Sequence, residues 1–352
     1  MIPDFYTSHP EWPGRVEHIV ELLGRVAATE ELSGRTLELR RTNRLGAVHS
    51  STAIEGNELT LSQVAEVANG EPVLAPPREV HEVENALAAY DALDSLDPWS
   101  VDDFLVAHRL LTAGLIAESG AFRTVEVDIV NAHDEVIHTG SRADKVPRLV
   151  AELFEWGQSS TDHPLVVASA THFLIEHIHP FRDGNGRIGR LWQTLILSRW
   201  RPVFAWMPTE SLIRKKQAGY YQALQDSRDP VIDAAPFIDY MLDVVTQSLE
   251  AYEAQALAGA DVGVSVGTNV GVNDAILAAL TAEPTLSAAA LAARLGTTPR
   301  TIERHLAELK AAGKRVFADL KLHDIPATVA AAVAGIARHQ PDLLTLHAYP
   351  AA

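Results

Sequence analysis

Residues 179–190 read HPFRDGNGRIGR, and they are the stretch whose residue types and spacing suit chemistry on a phosphorylated ligand. Gly184 and Gly186 lack a Cβ, so the chain can turn sharply there and aim backbone N–H groups at an anion. A helix opening near Arg187 would add the positive end of its dipole. Arg187 and Arg190 are three apart on that helix, which lets both guanidinium groups reach one polyphosphate. Asp183 supplies a hard oxygen suited to Mg²⁺. His179 opens the loop, and an imidazole titrating near neutrality suits a general base for a hydroxyl nucleophile. Asn185 is a donor to a phosphate oxygen, and Phe181 is an apolar anchor for the loop. Singly, each has an ordinary reading: a capping histidine, two solvated arginines, an Asp-Gly-Asn-Gly turn. The ordered set over twelve residues is what points to a reaction.

The elements that must position this loop are helices. From about residue 13 to 120 apolar residues recur every three or four positions, as in VEHIVELLGRVAA and VHEVENALAAYDAL, with a Pro-rich connector between. Further helices are expected in VPRLVAELFEWGQ, in PLVVASATHFLIEHI, over 187–199 and within PFIDYMLDVVTQSLEAYEAQAL. Residues 125–138, VEVDIVNAHDEVIH, break the pattern. Val125, Val127 and Ile129 alternate with acidic residues ahead of the turn residues 131–134, which predicts a short β-hairpin. The Gly- and Val-rich, nearly uncharged stretch 259–272 reads as a linker.

Bulk composition narrows the classes. With 352 residues, 47% of them hydrophobic, the chain can bury two or more cores. A net charge of −17 argues against a whole-molecule nucleic-acid or acidic-membrane binder. The absence of cysteine excludes disulfides, thiolate metal sites and cysteine nucleophiles. The opening MIPDFYTSHPEW has no signal-peptide pattern, and no apolar run approaches the roughly 20 residues of a membrane span, so a soluble cytoplasmic protein is expected.

The loop resembles that of the Fic (filamentation-induced-by-cAMP) family, whose pattern H-x-F-x-[DE]-G-N-G-R-x-x-R is matched at every fixed position of 179–190. The resemblance extends from the N-terminal helices through GAFRTVEVDIV to about residue 257. It implies a mainly α fold: a Fic helical core with a small β-hairpin flap. It also implies protein adenylylation, in which AMP passes from Mg-ATP to a Ser, Thr or Tyr hydroxyl of a target protein. His179 would be the base and Asp183 the Mg²⁺ ligand. Asn185, with the amides of Gly184 and Gly186, would stabilise the α-phosphate, and Arg187 and Arg190 would hold the β- and γ-phosphates. In the family the hairpin clamps a target segment by strand addition, which would make Val125, Val127 and Ile129 docking residues.

Upstream, residues 50–57 read SSTAIEGN. On a helix Ser51 and Glu55 share a face, and Gly56-Asn57 ends it. By spacing alone this is a capped helix end with a solvated glutamate. It also resembles the family's inhibitory motif [ST]-x-x-x-E-[GN], which implies autoinhibition by a Glu55–Arg190 pair. Two alternatives stay open: removal of AMP by the same site, and a nucleotide-sensing transcription regulator.

Residues 273–313 are patterned as a helix-turn-helix, with Arg300, Arg304 and Lys310 available to DNA; a helical protein-interaction module is the other reading. No wing follows. Residues 315–352 instead resemble a βαβ-like fragment of orotidine 5′-phosphate decarboxylase, through D-x-K-x-x-D-I-P-x-T at Asp319, Lys321, Asp324 and Thr328. So short a piece cannot close a barrel, and no decarboxylase activity is expected. The expected division is a helical region with the inhibitory helix over 1–90, a catalytic core over 91–258, the linker over 259–272, the helix-turn-helix over 273–314 and the fragment over 315–352. The partners expected are ATP, a target protein (the chain itself included), DNA through the helix-turn-helix and a second copy of the chain, with no membrane.

Overall fold

The computed structural model describes residues 5–33, 36–130, 136–258, 317–322 and 343–348. The chain divides into two units, Met1–Asp261 and Val262–Ala352.

The first unit is mainly α. Its helices are α1 (Trp12–Ser33), α2 (Thr36–Ile54), α3 (Leu61–Ala68), α4 (Pro77–Asp91), α5 (Val101–Thr112), α6 (Val146–Ser159), α7 (Pro164–Ile178), α8 (Asn185–Trp200), α9 (Thr209–Lys215), α10 (Gln217–Asp226) and α11 (Ala235–Ala258). Between α5 and α6 lies one antiparallel pair, β1 (Asp128–Val130) and β2 (Val136–Thr139).

α7 and α8 form the centre. α7 is apolar nearly all round, and all but two of its residues are buried, as expected of a helix with neighbours on every side. Pro164 occupies its first turn and His163 caps it, Nδ1 accepting from the Leu165 N–H at 3.2 Å. Aromatic residues lock α8 and the preceding loop to α5 and α6. The Phe104 ring lies 4.9 Å from Trp192, 5.2 Å from Phe181 and 5.3 Å from Phe154, and the Trp192 indole donates to Pro98 O at 3.0 Å. α2 is packed on α9, where Ser50 Oγ donates to Ser211 Oγ at 3.1 Å and Gln217 Nε2 donates to Ile54 O at 3.2 Å.

The helices α9 and α10 lie in a stretch where the sequence reading singled out no element; each is short and weakly patterned. The hairpin is shorter than its alternation implies. β1 starts at Asp128, so Ile129 lies on it, while Val125 and Val127 belong to the approach; Val127 O still accepts from the Gly140 N–H at 3.0 Å. The turn residues 131–135 lie outside the described residues.

In the second unit, β3 (Phe317–Leu322) and β4 (Leu343–Ala348) pair in parallel, setting Asp319 beside Thr345 and Lys321 beside His347. The linker, the helix-turn-helix and its Arg300, Arg304 and Lys310 lie outside the described residues. Among the described residues no helix is long and apolar enough to cross a membrane.

Candidate active site

α7 stops at His179 because the backbone turns left-handed there, with φ 52°. That conformation costs a non-glycine residue about 1–2 kcal/mol, so surrounding bonds must hold it. Arg123 provides several: Nε donates to His179 O at 2.7 Å and Nη2 to Ile178 O at 3.4 Å. The following turn is closed by Asn185, whose Oδ1 accepts from the Phe181 N–H and whose Nδ2 donates to Phe181 O, both at 2.9 Å. Phe181 is buried, and the His108 ring stacks on it at 3.6 Å and 6°. His108 Nε2 donates to Asp183 O at 2.9 Å, while Nδ1 accepts from the Gly120 N–H at 3.0 Å. These bonds specify the neutral imidazole, in keeping with burial lowering its pKa to about 4.

Gly184 then reverses the chain at φ 85° and opens α8. Thr112 Cγ2 and His108 Nε2 would lie 3.0 and 3.4 Å from any Cβ added there. Asp183 is 46% exposed; its Oδ1 accepts from the Gly184 N–H at 2.6 Å and from Arg187 Nη2 at 3.4 Å, and Oδ2 has no protein partner. Arg187 is only 7% exposed, and that long contact is its one ion pair; its Nε is buried without a partner. A buried cation so weakly paired is costly in isolation and suits a bound anion. One half-exposed carboxylate with a free oxygen also suits Mg²⁺, which keeps most of its waters and shares ligands with substrate phosphates.

Arg190 lies one turn on and is 1% exposed. Its Nη2 donates to Glu55 Oε1 at 2.6 Å and to Ser51 O at 3.0 Å, and its Nε donates to Ser51 Oγ at 3.2 Å. Burial works against its charge, but Glu55 outweighs burial and raises the guanidinium pKa. Gly186 makes room for the pair, since a Cβ there would run into Glu55 Oε1. Glu55 reaches this position because α2 ends at Ile54 and Gly56 turns at φ 95°. It is therefore not the freely solvated glutamate of a capped helix end.

Two expectations change. His179 does not titrate near neutrality: burial, helped by Arg228, His138 and Arg123 and opposed by the nearby Glu176 carbonyl, lowers it to about 4. Its Nδ1 is buried with no hydrogen-bond partner. The Asn185 side chain is committed to Phe181 rather than left to a phosphate, because a loop this tight needs its own backbone groups satisfied. Sequence reading also passed over Arg123 and His108. Arg123 sits within the quoted GAFRTVEVDIV, but nothing local distinguishes it from a surface arginine. His108 gives no signal at all, being one histidine on an amphipathic helix.

A left-handed histidine, a glycine-opened helix bearing two buried arginines and a hairpin beside them define a helical protein built around an anion-accepting loop. The family model described as Fic/DOC family matches residues 98–197. A crystal structure of a Fic family protein from Desulfovibrio desulfuricans G20 is 38% identical, covers 86% of this chain and 89% of its own, and superposes with a TM-score of 0.70. The chain belongs to the Fic family. It is also 26% identical over 219 residues to protein adenylyltransferase Fic of Nematostella vectensis, and 25% identical over 250 residues to that of Drosophila melanogaster. These matches cover 59% and 68% of this chain and 48% of each relative, so the chain spans about half the length of the curated relatives it matches. A model described as Orotidine 5′-phosphate decarboxylase / HUMPS family matches residues 289–352, a partial match that begins well upstream of 315 and overlaps the stretch patterned as a helix-turn-helix.

Proposed function

We propose that the chain is a protein adenylyltransferase held in check by Glu55. The observation that carries the reading is the contrast between the two arginines of α8. Arg187 is buried and underpaired, as a phosphate ligand awaiting its anion should be, while Arg190 is occupied by an intramolecular carboxylate. ATP supplies the AMP. His179, neutral at physiological pH, takes the hydroxyl proton through Nε2 as the target oxygen attacks the α-phosphorus; the Pα–O bond to pyrophosphate breaks and pyrophosphate leaves. Asp183 holds Mg²⁺, which when bound neutralises phosphate charge. The N–H groups at the start of α8 face the α-phosphate, and Arg187 and Arg190 hold the outer phosphates. With Glu55 on Arg190, the γ-phosphate cannot take its productive position.

One observation favours a second reading, removal of AMP. Glu55 pairs through Oε1 alone and is 37% exposed, leaving Oε2 able to orient a water. The regulator reading depends on Arg300, Arg304 and Lys310 and gains nothing from the described residues.

Wild type, Glu55→Gly and Glu55→Gly/His179→Ala, incubated with α-labelled ATP and Mg²⁺, test the proposal by intact mass. An AMP adduct confined to Glu55→Gly supports transferase, base and brake together. No adduct in any sample, followed by AMP release from pre-modified protein, would support the reverse reaction instead.

A further inference from the structure

The last carbonyls of α7 lack helical partners, as at any helix C-terminus. Here four consecutive ones, His177 to Pro180, are satisfied from the hairpin segment. His138 Nε2 donates to His177 O at 2.8 Å, the Ser141 N–H to Ile178 O at 3.1 Å, Arg123 Nε to His179 O at 2.7 Å and the Arg123 N–H to Pro180 O at 3.1 Å. Arg123 is the hub. Its side chain has no exposed surface, and it binds backbone oxygens rather than a close carboxylate; Glu126 lies 3.6 Å away and is largely exposed. Besides His179 and Ile178, the guanidinium donates to Val125 O at 2.8 Å and to Ser141 O. Val125 precedes β1 and Ser141 follows β2, so one planar fork ties both feet of the hairpin to the turn that carries His179. Gly140 allows this closeness: a Cβ there would sit 2.8 Å from Arg123 Nη2 and 3.2 Å from His179 Cβ.

We propose that Arg123 is a positioning residue that joins the hairpin and the left-handed turn at His179 into one unit, so that a target segment held on the hairpin is registered against the base. The assignment rests on the transfer reading of the site. Buried charged hydrogen bonds to carbonyls on both elements are what such a coupling requires, because removing the fork strands several buried oxygens at once.

The test uses the full chain with Glu55→Gly, alone and combined with Arg123→Gln or Arg123→Lys. For Arg123→Gln, kcat of self-modification should fall roughly 100-fold while KM for ATP stays within about twofold. Arg123→Lys keeps a charged donor and should recover part of the loss. Imidazole NMR reads the positioning without any turnover. The groups facing His179 are the Glu176 carbonyl, Arg228, His138 and Arg123. Losing Arg123 removes one positive neighbour and admits water, and both raise the His179 pKa from about 4 toward its ordinary value near 6.5. An unaltered kcat together with an unaltered His179 titration in both variants overturns the assignment. If Glu55→Gly alone makes no adduct, the transfer reading fails, and the titration decides by itself: a rise in Arg123→Gln supports the positioning role and no change rejects it. Should Arg123→Gln not fold, the Arg123→Lys comparison carries the same two outcomes.

Discussion

Glu55 and Arg190 meet at 2.6 Å although 135 residues separate them, and the two partners differ sharply in burial: Arg190 is enclosed, while Glu55 keeps over a third of its side chain exposed. The exposed partner is the one able to leave. Glu55→Gly should therefore raise self-modification by at least roughly tenfold, the effect of about 1.4 kcal/mol of lost competition for Arg190. Its cost in stability should be about 1–3 kcal/mol, below the range for breaking a fully buried pair, because water already reaches the carboxylate. Intact mass and urea denaturation measure the two effects. Unchanged labelling across a range of Mg²⁺ concentrations would remove the brake from the account.

Gly186 tests the same pair from the other side. Gly186→Ala puts a Cβ where Glu55 Oε1 lies, and overpacking of this kind costs about 1–3 kcal/mol. In a Glu55→Gly background the obstacle is gone, so the cost should shrink markedly. A double-mutant cycle on chemical denaturation measures that non-additivity. Equal costs in both backgrounds would mean that Glu55 does not rest on Gly186 in solution.

Asn185 should behave first as a structural bracket. Asn185→Ala leaves the buried N–H and C=O of Phe181 unpaired, a loss of about 2–4 kcal/mol. Asn185→Asp keeps an acceptor for the N–H but sets a carboxylate oxygen against Phe181 O, and it should be no milder. Thermal and urea melts should register both changes even without ATP.

Acid should weaken the fold before any carboxylate is titrated. Burial lowers His172 to about 3, and His177 and His179 to about 4. Between pH 6.5 and 4 the unfolded chain binds these protons while the folded chain does not, so stability falls as pH falls through that window. His172 Nδ1 donates to Gln193 Oε1 at 2.5 Å, and its Nε2 is 3.1 Å from the Tyr220 hydroxyl, so the ring is held neutral by its partners. His172→Gln should flatten the pH dependence of Tm, and an unchanged slope would show that other groups dominate it.

Much of this protein is legible without coordinates. The apolar periods locate α1, α4, α6, α7, α8 and α11, since helices that bury a face must repeat it. The loop is legible because Gly184, Gly186, Asp183 and the two arginines are close in sequence, where local spacing carries the geometry. Alternation placed a hairpin but overran β1, because Val125 turns instead to bring its carbonyl to Arg123.

Tertiary structure decided what local spacing cannot carry. Whether Asn185 faces a ligand or Phe181 depends on how tightly the loop closes. The protonation of His179 depends on its enclosure by Arg228, His138 and Arg123, residues brought from three other parts of the chain. Arg123 and His108 look like ordinary surface and helix residues until folding delivers their partners 55 to 75 positions away. A sequence lists which groups are present and which are neighbours along the chain; desolvation and long-range hydrogen bonds arise only when distant segments close around them, and those forces set the chemistry of this site.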